Sequence, residues 1–260
     1  GVDQSLYRQL TLYLGKVLHG DLGYSFYFNR PVAGLILGPL GPTMLLTVRA
    51  LVVALMVGTL LGVVAAQRPN GPLSHLITLL ALVGYALPVF WTGIMLLILL
   101  ASWLPLFPVS GMFDIAADHT GIAHVVDVLW HLTLPVLTLS SIYLAVYSRL
   151  SRASMLDVLG SDYIRTARAK GLGEFLVVYK HALRNAVLPV VTLAGLQFGQ
   201  LFSGAVLVET VYSWPGLGTL AYDSLLRRDS PTLLGILFCS AVMVVLVNLL
   251  TDLSYRLIDP

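Results

Sequence analysis

The sequence predicts an all-α integral membrane protein, and three observations carry that prediction. Of its 260 residues, 57% are hydrophobic and only 11% are charged, against roughly 25% charged in soluble domains. The apolar residues gather into five stretches, each near the ~20 residues that carry a helix across ~30 Å of hydrocarbon. The few charges gather between those stretches. A water-soluble fold with this composition, mean hydropathy +0.87, would expose large apolar patches.

Residues 1–40 precede the first stretch. Leu6, Leu10, Leu14 and Val17 share one side of a helix over 1–19, which suits an amphipathic segment lying on a membrane surface. Spans are then expected at about 43–66, 75–102, 131–150, 186–208 and 233–255, so that 41–260 forms one transmembrane domain. In the first span, Gly58 and Gly62 stand four apart and permit close helix approach, as do Gly195, Gly199 and Gly204 in or near the fourth. The second span carries Pro88, whose missing N–H and ring should kink it. The fifth holds Cys239, the only cysteine, so the sequence has no disulfide framework or thiolate metal site.

Charge asymmetry orients the spans. From 149 to 184 the basic residues are Arg149, Arg152, Arg165, Arg168, Lys170, Lys180 and Arg184, against Asp157, Asp162 and Glu174. The connection at 103–130 has no Lys or Arg and carries Asp114, Asp118 and Asp127. The basic loop is therefore expected in the cytoplasm and the acidic one outside. Residues 1–40 then lie outside and the C-terminus inside. Nothing in residues 1–40 could carry that end across a membrane, so a transmembrane helix is expected before residue 1. The basic residues adjoin spans and no soluble domain holds them, which excludes a nucleic-acid groove.

The segment DYIRTARAKGLGEFLVVYKHALRNAVLP, residues 162–189, says most. Helix formers Ala167 and Ala169 precede a Gly-x-Gly break at Gly171 and Gly173, among five cations. It reads as a short surface helix offered to a soluble partner, beside the simpler reading of a charge cluster that only sets orientation. A second distinctive segment, VETVYSWPGLGTLAYDSLLRRDSP at 208–231, has a strong turn signal at Trp214-Pro215-Gly216. Tyr212 and Trp214 there suit a membrane-interface position, and Glu209 reads as an interfacial acid. Arg49, about two turns inside a span, costs several kcal/mol unless it snorkels or faces a polar cavity. Pathway lining and snorkelling both stay open. His124, Asp127 and His131, with Asp118 and His119 nearby, could ligate nickel or zinc, but a solvated outer loop fits the unspecific spacing better, and no metal site is expected.

Several motifs recur in order along the chain: GDLGYS at 20–25, RPV at 30–32, LPVFWTG at 87–93, HLTLPVLTLS at 131–140, RASMLDVLGSDYIRTARAKGL at 152–172, HALRNAVLPVVTLAGLQFG at 181–199 and VETVYSWPGLG at 208–218. Together they resemble the permeases of binding-protein-dependent ABC importers, in the wording of the dipeptide, oligopeptide and nickel branch. The resemblance implies a type I importer permease with six spans when complete and both ends in the cytoplasm of a bacterial inner membrane. Two such halves would enclose the pathway, with two ATP-binding subunits or domains below and an extracytoplasmic binding protein above.

By the same resemblance, Tyr163, Arg165, Thr166, Ala167, Arg168, Ala169, Lys170, Gly171 and Leu172 form the coupling helix that sits in a groove on the ATPase. Ala167 and Ala169 would pack closely there, and Arg165, Arg168 and Lys170 would meet acidic or carbonyl groups. The broader importer pattern begins Glu-Ala-Ala, whereas Arg165, Thr166 and Ala167 stand here. Glu209, Tyr212, Trp214, Pro215 and Gly216 would lie toward the pathway beneath the binding protein. There is no G-x-x-x-x-G-K-[ST] phosphate loop, so ATP and Mg belong to partners and the chain itself carries no cofactor and no catalytic residue. Dipeptides or oligopeptides are the implied cargo, with nickel or another small solute as the alternative. An ion-coupled secondary transporter is the alternative of another class, against which the spans show no acidic pair at mid-depth.

Overall fold

The computed structural model describes residues 5–258; residues 1–4 and 259–260, the outermost ends of the two expected regions, lie outside the described residues. Helix α1, Leu6–Leu18, leaves Leu10 and Leu14 exposed and buries Val17, so most of its apolar side is not covered by the protein itself. A two-stranded hairpin follows, β1 (Tyr24–Ser25) antiparallel to β2 (Arg30–Pro31). Helix α2, Val32–Gln67, begins eleven residues earlier than the expected span and runs through Pro39 and Pro42. Each proline forgoes one backbone hydrogen bond. The first turns hold because Val32 and Ile36 are buried with Phe202, Leu217 and Ile236. Tertiary packing overrides the local signal here.

The second expected span is corrected. It is two arms, α3 (Pro72–Ala86) and α4 (Val89–Leu96), the latter continuing as a π-helical segment to Trp103, and they meet at 107°. Leu87 is extended (φ −80°, ψ 135°), as a residue before proline prefers, so Pro88 does not kink a helix but starts a new one. Helix α5, Ile122–Leu159, has 38 residues and is about 57 Å long at 1.5 Å per residue. Its central part is the third expected span.

Beyond it lie α6 (Asp162–Ala169), α7 (Glu174–Leu176), a π-helical stretch Val177–Ala182 and α8 (Leu183–Ala186). Helix α9, Leu188–Val211, and α11, Ser230–Ile258, supply the last two spans, and α10, Leu217–Leu226, lies between them. Among the described residues four helices are long and apolar enough to cross a membrane, and the bent α3–α4 pair, taken as one span, brings the number to five.

The centre of the bundle is the α2–α5 pair. A Cβ on Gly62 would stand 2.6 Å from the Ser148 carbonyl oxygen, and one on Gly58 2.9 Å from that of Leu144. Only hydrogen fits between these backbones. The main core joins α2, α4, α5 and α9 around Leu46, Leu134, Leu139, Tyr147 and Leu201. Two smaller clusters close its ends. One lies among α6, the π-helical stretch and the ends of α2 and α5, at what we call the basic end. The other lies at the opposite, acidic end, where α2, α9, α10 and α11 meet.

Candidate functional site

Helix α6 is built in two faces. Ile164 and Ala167 point inward to Val63, Met155, Val177 and Val178. Tyr163, Arg165, Thr166, Ala169, Lys170 and Gly171 are exposed. Gly171 has φ +79°, which glycine adopts without a Cβ penalty. Its N–H donates to the Arg168 carbonyl (2.9 Å) and that of Leu172 to the Ala167 carbonyl (3.4 Å). That is the Schellman ending, and Leu172 completes it by packing against the same cluster as Ala167.

Two side-chain ties fix α6 to the segment after it. Arg168 donates from Nε and Nη2 to the two oxygens of Glu174, at 3.1 and 2.7 Å. Each partner favours the other's charged form: hydrogen bonding to Glu174 raises the guanidinium pKa, and the same bonds hold the Glu174 carboxyl below its ordinary value. Asn185 donates to the Tyr163 hydroxyl at 2.8 Å. Arg165 has only a long contact to Asp162, 3.4 Å, with both side chains exposed.

Two sequence expectations change as a result. Ala167 is buried inside this chain and offers no surface to a partner; Ala169 is the exposed small residue. Arg168 is already occupied, so Arg165 and Lys170 are the cations that α6 leaves outward. Sequence reasoning missed Glu174 and Asn185 as partners because their separations, six and 22 residues, match no helical spacing.

At the acidic end, Glu209 is fully buried (0% exposed) and joins three helices. Oε1 accepts from the Thr43 hydroxyl (2.6 Å), and Oε2 accepts from the N–H groups of Gly218 (2.7 Å) and Thr219 (3.2 Å). Thr43 in turn accepts from the Leu217 N–H at 2.8 Å. The first amides of α10, which no helical carbonyl can satisfy, are thus capped by groups from α2 and α9. An anion is favoured at that position by the helix dipole.

Trp214, also 0% exposed, donates from Nε1 to the Pro42 carbonyl (3.0 Å), and Tyr212 donates to the Gly93 carbonyl (3.1 Å) with its hydroxyl 2.8 Å from that of Thr138. A Cβ on Gly216 would overlap the Glu209 carboxylate. The interface reading of Glu209, Tyr212 and Trp214 is therefore corrected: all three are interior, and of the sequence-selected group only Pro215 is exposed. The signal that could have found this is a carboxylate seven residues before a glycine-bounded helix start. A lone acid at a span end did not reveal its partners in α2.

Arg49 is exposed on α2 beside a recess shared with α5 and has no salt-bridge partner among the described residues. Asp127 accepts from the Asp114 N–H (2.8 Å) and lies 3.0 Å from the His131 ring, while His124 stacks edge-on against Phe113. These residues shape the 103–121 loop, and among the described residues no three such groups are placed to hold a metal ion.

The class these features define is a polytopic membrane protein that holds a short basic helix rigidly beyond one end of its bundle. The chain belongs to the family described as binding-protein-dependent transport system inner membrane component, whose pattern matches residues 58–260. It is 43% identical over 277 residues to the dipeptide transport system permease protein DppB of Escherichia coli K12, a match covering all of this chain and 82% of that protein. It is 40% identical over 261 residues to the oligopeptide transport system permease protein AppB of Bacillus subtilis, covering all of this chain and 81% of AppB. Its fold is similar to that of the MetNI methionine ABC transporter in an inward-facing crystal form, with TM-score 0.70 at 15% identity, over 87% of this chain and 97% of that one.

Proposed function

We propose that this chain is one of two permease halves of an ATP-driven importer that takes up dipeptides or oligopeptides delivered by an extracytoplasmic binding protein. The basic end with α6 faces the cytoplasm, as does the C-terminus, and the acidic end with α10 faces outward. ATP and Mg act on partner subunits, and this chain does no covalent chemistry.

The observation that carries the reading is the construction of α6. Its inner face is locked by packing, its end by Gly171 and its flanks by the Arg168–Glu174 and Tyr163–Asn185 ties. A helix so held transmits displacement instead of absorbing it. The outward set Arg165, Thr166, Ala169 and Lys170 is a compact basic surface with a small residue in it, suited to a groove on an ATPase. The names of the relatives support peptides as cargo. On the outer side, α10 and the 212–216 turn are held by Glu209 and Trp214 as a stiff platform, on which Pro215 and its exposed neighbours would lie beneath the binding protein.

The test is purification from the membrane under mild conditions. A related permease and two ATP-binding subunits or domains should copurify, and vesicles of that complex should accumulate a dipeptide when binding protein and ATP are supplied. ATP-driven uptake by this chain alone, or uptake abolished by an ionophore with ATP maintained, would refute the reading.

A further inference from the structure

Arg49 is the one charge on the apolar part of α2, and its setting is specific. It borders an open recess of about 230 Å³ whose other walls are Val53 on α2 and Leu129, Leu132, Thr133, Val136 and Leu137 on α5. Among the described residues no carboxylate lines the recess. The nearest acid in sequence on α5, Asp127, is engaged by the Asp114 N–H and by His131. The site thus offers a permanent cation over an apolar floor, the Thr133 hydroxyl being spent on the Leu129 carbonyl of its own helix at 3.0 Å. A guanidinium in a membrane span is costly unless an anion or water meets it.

The complementary ligand is an oxyanion carried next to a compact apolar group. Two sources have that chemistry, the C-terminal carboxylate of a peptide beside its last side chain and the phosphate of a lipid beside its chains. The volume separates them. The recess, about 230 Å³, exceeds the roughly 150 Å³ cavity that takes up benzene, so one aromatic or aliphatic side chain fits, whereas the paired long chains of a lipid do not.

We propose that Arg49 and this recess form a way-station for the C-terminal residue of the transported peptide, the guanidinium meeting the carboxylate and the apolar walls meeting the side chain. This rests on the peptide-importer reading. It makes one handle serve peptides of any sequence, because each free peptide carries that carboxylate.

The complete importer is reconstituted in phosphatidylcholine vesicles and supplied with binding protein saturated with Ala-Phe or with Ala-Phe amide, the loading of each measured separately. Arg49→Gln should slow Ala-Phe uptake roughly tenfold, the loss expected for a charge-assisted hydrogen bond, and leave the amide's rate unchanged. Arg49→Lys should restore part of the difference. Val136→Trp, which fills the recess and keeps the cation, should slow Ala-Phe more than Ala-Gly.

Equal slowing of acid and amide, or no slowing of either, would overturn the assignment. An Arg49→Gln effect that appears only when phosphatidylglycerol is added would assign the recess to lipid phosphate and equally overturn it. Wild-type vesicles that take up no peptide at all would instead remove the importer reading itself.

Discussion

At the residue scale, the Arg168–Glu174 pair separates an internal strut from a partner contact. Both side chains are exposed, and exposed pairs contribute at most about 1 kcal/mol to stability even when well formed, so the consequence to look for is positional. Arg168→Glu should reduce substrate-stimulated ATP hydrolysis by the assembled importer, and the double variant Arg168→Glu/Glu174→Arg should recover most of it. Failure of the double variant to recover would mean that Arg168 meets the ATPase directly.

The pH dependence has a defined sign. Glu174 is held below its ordinary value of 4.5, so the pair is intact at neutral pH. Its contribution disappears as pH falls through that lowered value. Gly171 offers a cleaner probe, because a Cβ there meets nothing within 4 Å. Gly171→Ala should cost only the left-handed conformation, roughly 1–2 kcal/mol, and weaken coupling. Gly171→Pro, which cannot adopt φ +79° at all, should abolish coupling with insertion unchanged.

At the element scale, stability depends on two junctions. Glu209→Ala removes the acceptor for the buried Gly218 amide and Thr43 hydroxyl and for the partly buried Thr219 amide, which should destabilise the protein by about 3–5 kcal/mol. Glu209→Gln keeps one oxygen for the amides and should lose less. Thermal unfolding of the detergent-solubilised variants reads the order Ala, Gln, wild type; equal midpoints would show that the cap is dispensable.

The second junction is the α2–α5 crossing. Gly62→Ala puts a methyl 2.6 Å from both the Ser148 carbonyl oxygen and the Ser151 Cβ, so two backbones must part, at about 3 kcal/mol or more. Gly34→Ala, on the same helix but in open space, should be neutral or gain up to about 1 kcal/mol from helix propensity. Comparable losses at both positions would mean the close approach is not what Gly62 provides.

At the scale of the whole molecule, the prediction is the orientation. With Cys239 replaced by serine, cysteines at Asp118 and Asp223 should react with an impermeant thiol reagent added to intact cells. One at Lys170, exposed and free of the Arg168–Glu174 pair, should react only after permeabilisation. Labelling of position 170 in intact cells would invert the molecule and remove the coupling role of α6 with it.

Large parts of the outer surface of the bundle remain apolar. Only 11% of the apolar window of α11 is buried within the chain. The rest must meet lipid or a neighbouring subunit, since water would leave so much apolar area unfavourably exposed.

Composition and spacing alone were enough for the membrane class, the five apolar stretches, the glycine contact of Gly58 and Gly62 and the helix-ending glycine at 171. Those properties are local or periodic: a run of apolar residues, a four-residue repeat of small ones, a left-handed conformation that glycine takes at least cost. The break at Pro88 was also legible, but its 107° angle was not, because proline removes a hydrogen bond without dictating where the next helix packs. Nor could the sequence say that Tyr212, Trp214 and Glu209 are interior. Aromatic and acidic residues at a span end look alike whether they face headgroups or cap a neighbouring helix. The deciding partners, Pro42, Thr43, Gly93 and Thr138, lie 74 to 172 residues away. The same holds for α6, where alternate residues of one short basic run divide into a buried face, an internal ion pair and an open surface. Only the packing of Val63, Met155 and Val177 against it decides which is which, since burial is a property of what the fold brings alongside a residue and not of the residue itself.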